Sequence, residues 1–364
     1  MNRRAFLSTA AGLAAGAAAS AGAARALAAD GPEAAARALA RRLPRWRGFN
    51  LLEKFTLRRG SNPFVEADFA HMRAWGFDFA RLPMDYRCWT DRDDPYTYDE
   101  ACLKEIDEAV ALGRKHGVHV SLNLHRAPGF CINPPEEQRN LWTDAEARKQ
   151  FNAQWAMFAR RYKGVPASAL SFDLVNEPAR YKEESQYVEV HRGAIEAIRA
   201  VDPGRLILAD GLQVGQKPAM ALASDGVAQS MHGYMPGRVT HYKASWVKGS
   251  DNWPEPTWPL KVGKGTQDRA WLYETRIKPW KQLADKGVGI NMGEWGCYNK
   301  TPHAVVLAWM KDVGELVKAE GWGWALWNLR GSFGVLDSKR ADVTYEDFHG
   351  HQLDRKMLDL LKTL

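Results

Sequence analysis

Leu170-Ser171-Phe172-Asp173-Leu174-Val175-Asn176-Glu177-Pro178 decides how this chain is read. The run mixes apolar with small polar residues, as expected of a strand with one side facing a barrel interior and the other facing a helix. Glu177 closes it, so its carboxylate would stand at the strand's C-terminal mouth. A second apolar run closes in the same way, with Asn291-Met292-Gly293-Glu294-Trp295-Gly296. Strand mouths are where a β/α barrel keeps its chemistry. Two carboxylates from different strands, facing each other across a cleft, are the minimal equipment for cleaving a glycosidic bond.

From residue 47 onward, apolar runs alternate with helical patterns in the order of successive β-α units. Eight strands are predicted, ending near Leu51, Leu82, His125, Asn176, Asp210, His232, Glu294 and Trp327. Eight strands close a (β/α)8 TIM barrel. Helices are predicted over 101–116, 145–162 and 301–319, the last with Pro302 in its first turn, where a missing N–H costs nothing. Two connections are unusually long, 126–143 and 235–268. The second carries Pro236, Pro254, Pro256 and Pro259 among Trp246, Trp253 and Trp258. Both leave the catalytic face and read as cleft walls. The three indoles either pack their own loop or stack on sugar rings.

A length of 364 residues and 45% hydrophobic composition suit one barrel with elaborated loops. Asn2-Arg3-Arg4-Ala5-Phe6-Leu7 leads into an Ala/Gly run that ends in a small-x-small pattern near Ala26-Leu27-Ala28. Residues 1–28 thus look like a twin-arginine export signal, with 29–364 as a single catalytic domain in the periplasm or outside the cell. Arg25 interrupts the run, which is too weakly apolar for a spanning helix, so no membrane is expected for the mature form. Removing Arg3, Arg4 and Arg25 lowers the formal net charge from +7 to +4. That small excess, without a Lys/Arg block, gives no reason to expect nucleic acid. No repeat or low-complexity linker suggests an appended binding module, and a monomer is expected.

Cys88, Cys102, Cys131 and Cys297 form neither a disulfide framework nor a CxxC zinc pattern. Cys88 and Cys131 follow adjacent predicted strands at one end of the barrel. A bridge between them is geometrically open in an oxidising compartment.

HExxH, GxSxG and Walker motifs are absent, and Gly287-Val288-Gly289 has the wrong spacing and context for a dinucleotide fingerprint. Arg81, His125, Asn176, Glu177, His232, Tyr234, Glu294 and Trp327 remain at the predicted strand ends. Singly, each has an ordinary structural use. Jointly, they converge on one mouth.

This ordered set resembles glycoside hydrolase family 5, the cellulase-like branch of a retaining clan with glutamates after strands four and seven. The family pattern is met by Arg81 in Phe79-Ala80-Arg81-Leu82-Pro83 and by His125 in Leu122-Asn123-Leu124-His125. Asn176-Glu177-Pro178, His232-Gly233-Tyr234, Gly293-Glu294-Trp295 and Leu326-Trp327-Asn328 complete it, over roughly residues 45 to 335. The resemblance implies that Glu177 is the acid/base and Glu294 the nucleophile, oriented by Arg81 and the Tyr234 hydroxyl. It implies that Asn176 bonds the sugar's 2-OH, His125 and His232 support the sugar and the acid/base, and Trp327 floors the subsite beside the cleaved bond. A second pair, His241-Tyr242, follows the first, but the strand-like Val227-Ala228-Gln229-Ser230-Met231 favours His232 and Tyr234. The expected substrate is a β-linked oligo- or polysaccharide, foremost a β-1,4-glucan, cleaved without metal or cofactor. A β-mannanase, an exo-acting β-glycosidase and a non-catalytic carbohydrate-binding barrel stay open beside it.

Overall fold

The computed structural model of the protein describes residues 31–364 apart from 58–59 and 92–93. The expected export signal at 1–28 lies outside the described residues. Among those described, eight parallel strands close a barrel: β1 Arg47–Asn50, β2 Phe79–Asp85, β3 His119–Ala127, β4 Leu170–Asp173, β5 Leu206–Asp210, β6 Ala228–Gly233, β7 Ile290–Trp295 and β8 Gly323–Leu326. Each pairs with the next, and β1 pairs with β8 from Arg47 opposite Trp324, which closes the ring. The expected strand ends fall within three residues of these.

Around the barrel run α1 Gly31–Arg41, α2 Glu66–Ala74, α3 Glu100–His116, α4 Ala145–Arg161 and α5 Glu184–Arg199. Arg269–Leu272, Tyr273–Ile277 and Lys278–Ala284 follow one another as α6, ahead of α7 His303–Ala319 and α8 Arg355–Thr363. Asp99 and Asp144 start α3 and α4 by accepting two backbone N–H bonds each, which satisfies donors the helix leaves free. Pro302 sits at the N-cap of α7, one residue before its expected place inside the first turn. No helix among the described residues is long and apolar enough to cross a membrane.

The regular alternation breaks once. Between β5 and β6 the chain makes only the short turns Leu212–Gly215 and Met220–Leu222. At the N-terminal end of these strands, α1 sets Ala36 and Ala40, followed by Leu43, against Leu206, Leu208 and Ala228. The backbone N–H of Gly289 donates to Ala40 O at 2.7 Å, tying this cover to the start of β7.

Both long connections leave the C-terminal mouth. In the first, Phe130–Cys131 folds back antiparallel on β3, with Arg126 opposite Cys131. The second contains the antiparallel hairpin of Leu260–Val262 and Gly265–Gln267. All four cysteines are buried free thiols, so the bridge left open between Cys88 and Cys131 is not formed. Cys88 Sγ donates to Lys54 O and Cys131 Sγ to His125 O, so the two thiols are held on different carbonyls.

Candidate active site

Each glutamate is aimed by a local break in its strand. In β7, Met292 pairs with Met231 but Glu294 pairs with His232, so Gly293 is the extra residue of a bulge. A bulge re-aims the side chain that follows it. A larger residue is crowded there: a Cβ on Gly293 would stand 2.4 Å from Ser230 Oγ, so that hydroxyl or the bulge would have to shift. In β4, pairing stops at Asp173, and Glu177 adopts φ +48°, a left-handed conformation that a side chain disfavours. Its N–H is held there by Asp210 Oδ2 at 2.9 Å.

The two carboxylates meet. One oxygen of Glu177, one of Glu294 and one ring nitrogen of His232 lie within 4.8 Å of one another. Glu294 is buried, accepting from Arg81 Nη1 at 2.6 Å and from the Tyr234 hydroxyl at 3.1 Å. Glu177 is half-buried, with Oε1 3.0 Å from His232 Nδ1.

Arg81 joins the strands beneath the acids. Its fully buried guanidinium donates to Asp173 at 2.7 Å, Asn50 at 3.1 Å and Asn176 at 2.9 Å, besides Glu294, and lies 3.6 Å from Asp210. Removing such a cation would leave buried carboxylates uncompensated. Burial, then the charge of Asp210, pushes the Asp173 carboxyl up to about 7. Burial also pushes Glu294 above the ordinary carboxylate range, while His232 and Arg81 pull against it. Against its own burial, Asp210 is held below that range by His232 and Arg81. His232 shows the reverse: burial opposes its charge, but Asp210, 3.1 Å from Nε2, and Glu294 raise it well above its usual value.

Glu177, His232 and Glu294 have donor atoms close enough for a cation, yet the donor set does not suit one. Both His232 nitrogens already face carboxylates, and Arg81 already neutralises Glu294. A metal ligand must offer a lone pair, which an imidazolium lacks.

Aromatic side chains line the mouth. Trp327 stacks on His125, with centroids 5.5 Å apart, and Phe55 meets both rings edge-on. On the other side, Tyr234 meets His241 and Phe333, and the exposed Trp246 stands edge-on to Tyr298 at 4.8 Å and 6.2 Å from His241. Trp258 takes the packing alternative. Its Nε1 donates to Asp312 on α7 at 2.8 Å, because a half-buried indole N–H needs an acceptor and the outer helix supplies it. Trp253 is half-buried at the end of the short turn Ser250–Asn252. The first His/Tyr pair is the one that touches the acids. Tyr242 is buried, and His241 bonds Thr240.

Residues 43–332 match the cellulase model, glycosyl hydrolase family 5. The chain belongs to family 5. It is 26% identical over 277 residues to cellodextrinase A of Ruminococcus flavefaciens, covering 73% of this chain and 79% of that protein. Endoglucanase C of Acetivibrio thermocellus is 23% identical over 308 residues, covering 78% and 89% respectively. A solved glycoside hydrolase superposes with a TM-score of 0.84 at 39% identity, over 88% of this chain and 99% of that one.

In this family 5 chain, three residues escaped the sequence reading. Asn50, Asp173 and Asp210 close β1, β4 and β5, are almost fully buried, and all contact Arg81. The available signal was a polar residue ending each of three buried strands.

Proposed function

We propose that the protein hydrolyses β-1,4-linked glucan with retention of configuration, Glu294 acting as nucleophile and Glu177 as acid/base. The observation that carries this is the approach of the two carboxylates to within 4.8 Å. Retaining pairs stand about 5 to 5.5 Å apart, whereas inverting pairs leave room for water at about 6.5 to 9.5 Å. The unequal surroundings of the acids support the division of labour. Both Glu294 oxygens accept hydrogen bonds, which oppose the burial that pushes its carboxyl up and so favour the ionised form needed for attack. Glu177 is more open and borders the imidazole of His232.

In the first step, Glu294 attacks the anomeric carbon as its bond to the leaving oxygen breaks, and that oxygen takes the Glu177 proton. In the second, water attacks the same carbon, gives a proton to Glu177 and releases Glu294. Asn176, whose Oδ1 is held by Arg81, keeps an amide N–H for the sugar's 2-OH. Trp327 forms the floor of that subsite, and the exposed Trp246 stacks on a sugar farther along the chain. Relatives named for cellodextrins and endoglucanase activity favour glucan as the substrate.

Reducing-sugar release from β-glucan, mannan and aryl β-glycosides, with NMR of the first product anomer, tests the reading. Retained β product from glucan is expected. An inverted product would end the mechanism, and release from mannan alone would replace the substrate. Export through residues 1–28 belongs to the same proposal: Arg3→Lys with Arg4→Lys should hold the protein in the cytoplasm.

A further inference from the structure

The loop after β5 runs through three consecutive left-handed residues. Gln213 adopts φ +52° and ψ +61°, Val214 φ +58° and ψ +42°, and Gly215 φ +73°. This conformation is costly for a side chain, most of all for a branched one such as valine. It persists only where the surroundings over-determine it, as they do at sites that must hold a fixed geometry. Here Gly215 N–H donates to Gly211 O at 3.1 Å and Leu212 N–H to Lys217 O at 2.8 Å, closing the turn on itself.

The turn touches the surroundings of Glu177. Its two strained residues spend their N–H groups on the segment that follows that acid: Val214 donates to Pro178 O at 3.1 Å and Gln213 to the Tyr181 hydroxyl at 3.1 Å. Gly215 lies against the buried ring of His232, where a Cβ would stand 2.9 Å from the ring's Cγ and 3.0 Å from its Cδ2. A side chain there must push the imidazole, which lies 3.0 Å from Glu177 Oε1 and 3.1 Å from Asp210 Oδ2. Asp210 ends β5 and holds the Glu177 N–H. The short stretch 210–215 therefore grips Glu177 by its own N–H, by the carbonyl and hydroxyl that follow it, and by the imidazole beside its carboxylate.

We infer that Gln213, Val214 and Gly215 are positioning residues for the acid/base: their left-handed turn holds Glu177 and the His232 ring in register for proton transfer to the leaving oxygen. The role in proton transfer rests on the glycosidase reading; the packing of the turn on His232 does not. A positioning role acts only on steps that use the Glu177 proton. Departure of a phenol needs that proton, whereas an activated dinitrophenol leaves without it.

Two β-cellobiosides of similar size, phenyl and 2,4-dinitrophenyl, therefore test the inference through kcat/KM, which reports the steps up to departure of the phenol. Gly215→Ala should lose about thirtyfold on the phenyl glycoside and less than about threefold on the dinitrophenyl one. Tyr181→Phe removes only the acceptor of the Gln213 N–H, and should show the same split at about fivefold. Imidazole ¹⁵N spectra of the substrate-free protein supply a second reading, with the His232 signals identified by their loss in His232→Asn. Those signals should move in Gly215→Ala. Equal losses on the two glycosides, or unmoved His232 signals, overturn the inference. Should Gly215→Ala not fold, Tyr181→Phe decides alone, and the absence of a split there overturns it. Moved His232 signals in a protein whose wild type hydrolyses no glycoside would support the packing of the turn and refute the glycosidase reading.

Discussion

Asp210 holds Glu177 from two sides. Its Oδ2 accepts the Glu177 backbone N–H at 2.9 Å, and the same oxygen lies 3.1 Å from His232 Nε2, whose Nδ1 touches the Glu177 carboxylate at 3.0 Å. One buried carboxylate therefore sets both the left-handed turn that presents the acid and the charge of the imidazole beside it.

Asp210→Asn should lower the His232 pKa and with it the part of the stability that the charged ring contributes. The sign follows from linkage. A histidine raised in the folded state stabilises the fold fully below its unfolded value of about 6.5, and that contribution fades as pH rises through the folded value. The variant should therefore lose more stability to urea at pH 6 than at pH 9. Equal stability losses at the two pH values would remove Asp210 from this role.

Glu294→Gln should abolish formation of a covalent glycosyl intermediate, because nothing replaces the attacking carboxylate. Glu177→Ala should still be glycosylated by substrates with activated leaving groups, and azide should rescue it as the β-glycosyl azide. Mass spectrometry of the trapped enzyme and product NMR read the two outcomes. Rescue of neither variant would show the roles to be wrong.

Gly293→Ala should cost about tenfold in kcat, because a Cβ 2.4 Å from Ser230 Oγ pushes the hydroxyl and the bulge that aims Glu294 apart. Overpacking of this kind costs about 1 to 3 kcal/mol in stability. Pairing the variant with Ser230→Gly should restore part of both. Wild-type kcat in Gly293→Ala would mean that the bulge does not aim the acid.

Trp246→Ala should raise KM for long oligosaccharides severalfold and leave short aryl glycosides and the melting temperature nearly unchanged, since the indole is exposed and two rings from Glu294. Trp258→Phe should do the opposite. Loss of its bond to Asp312 costs about 1 kcal/mol of stability, with kinetics unchanged. Equal KM changes in the two variants would refute this division.

The strand pattern, the family and the eight strand-end residues were all legible in the sequence. The reason is local: whether a stretch forms a buried strand is decided over a few residues by its own apolar pattern, and Asn176-Glu177-Pro178 or Gly293-Glu294-Trp295 marks its end in place. The missing helix after β5 was harder to see. That strand is covered by α1, which precedes it in the chain by more than a hundred residues.

Separations across the mouth belong to the tertiary structure. Arg81 and Glu294 stand 213 residues apart in sequence and 2.6 Å apart in space. Closure of eight strands and the need to pair every buried charge bring them there. The same need made Asp173 and Asp210 members of the site, although each reads along the chain as an ordinary polar strand end. Among the loop tryptophans, three similar residues met different fates, because the acceptor that claims Trp258 lies on a helix 54 residues away. Sequence by itself determined which side chains arrive at the mouth. The closed barrel decided which of them touch, because only closure sets the distances on which charge pairing and proton transfer depend.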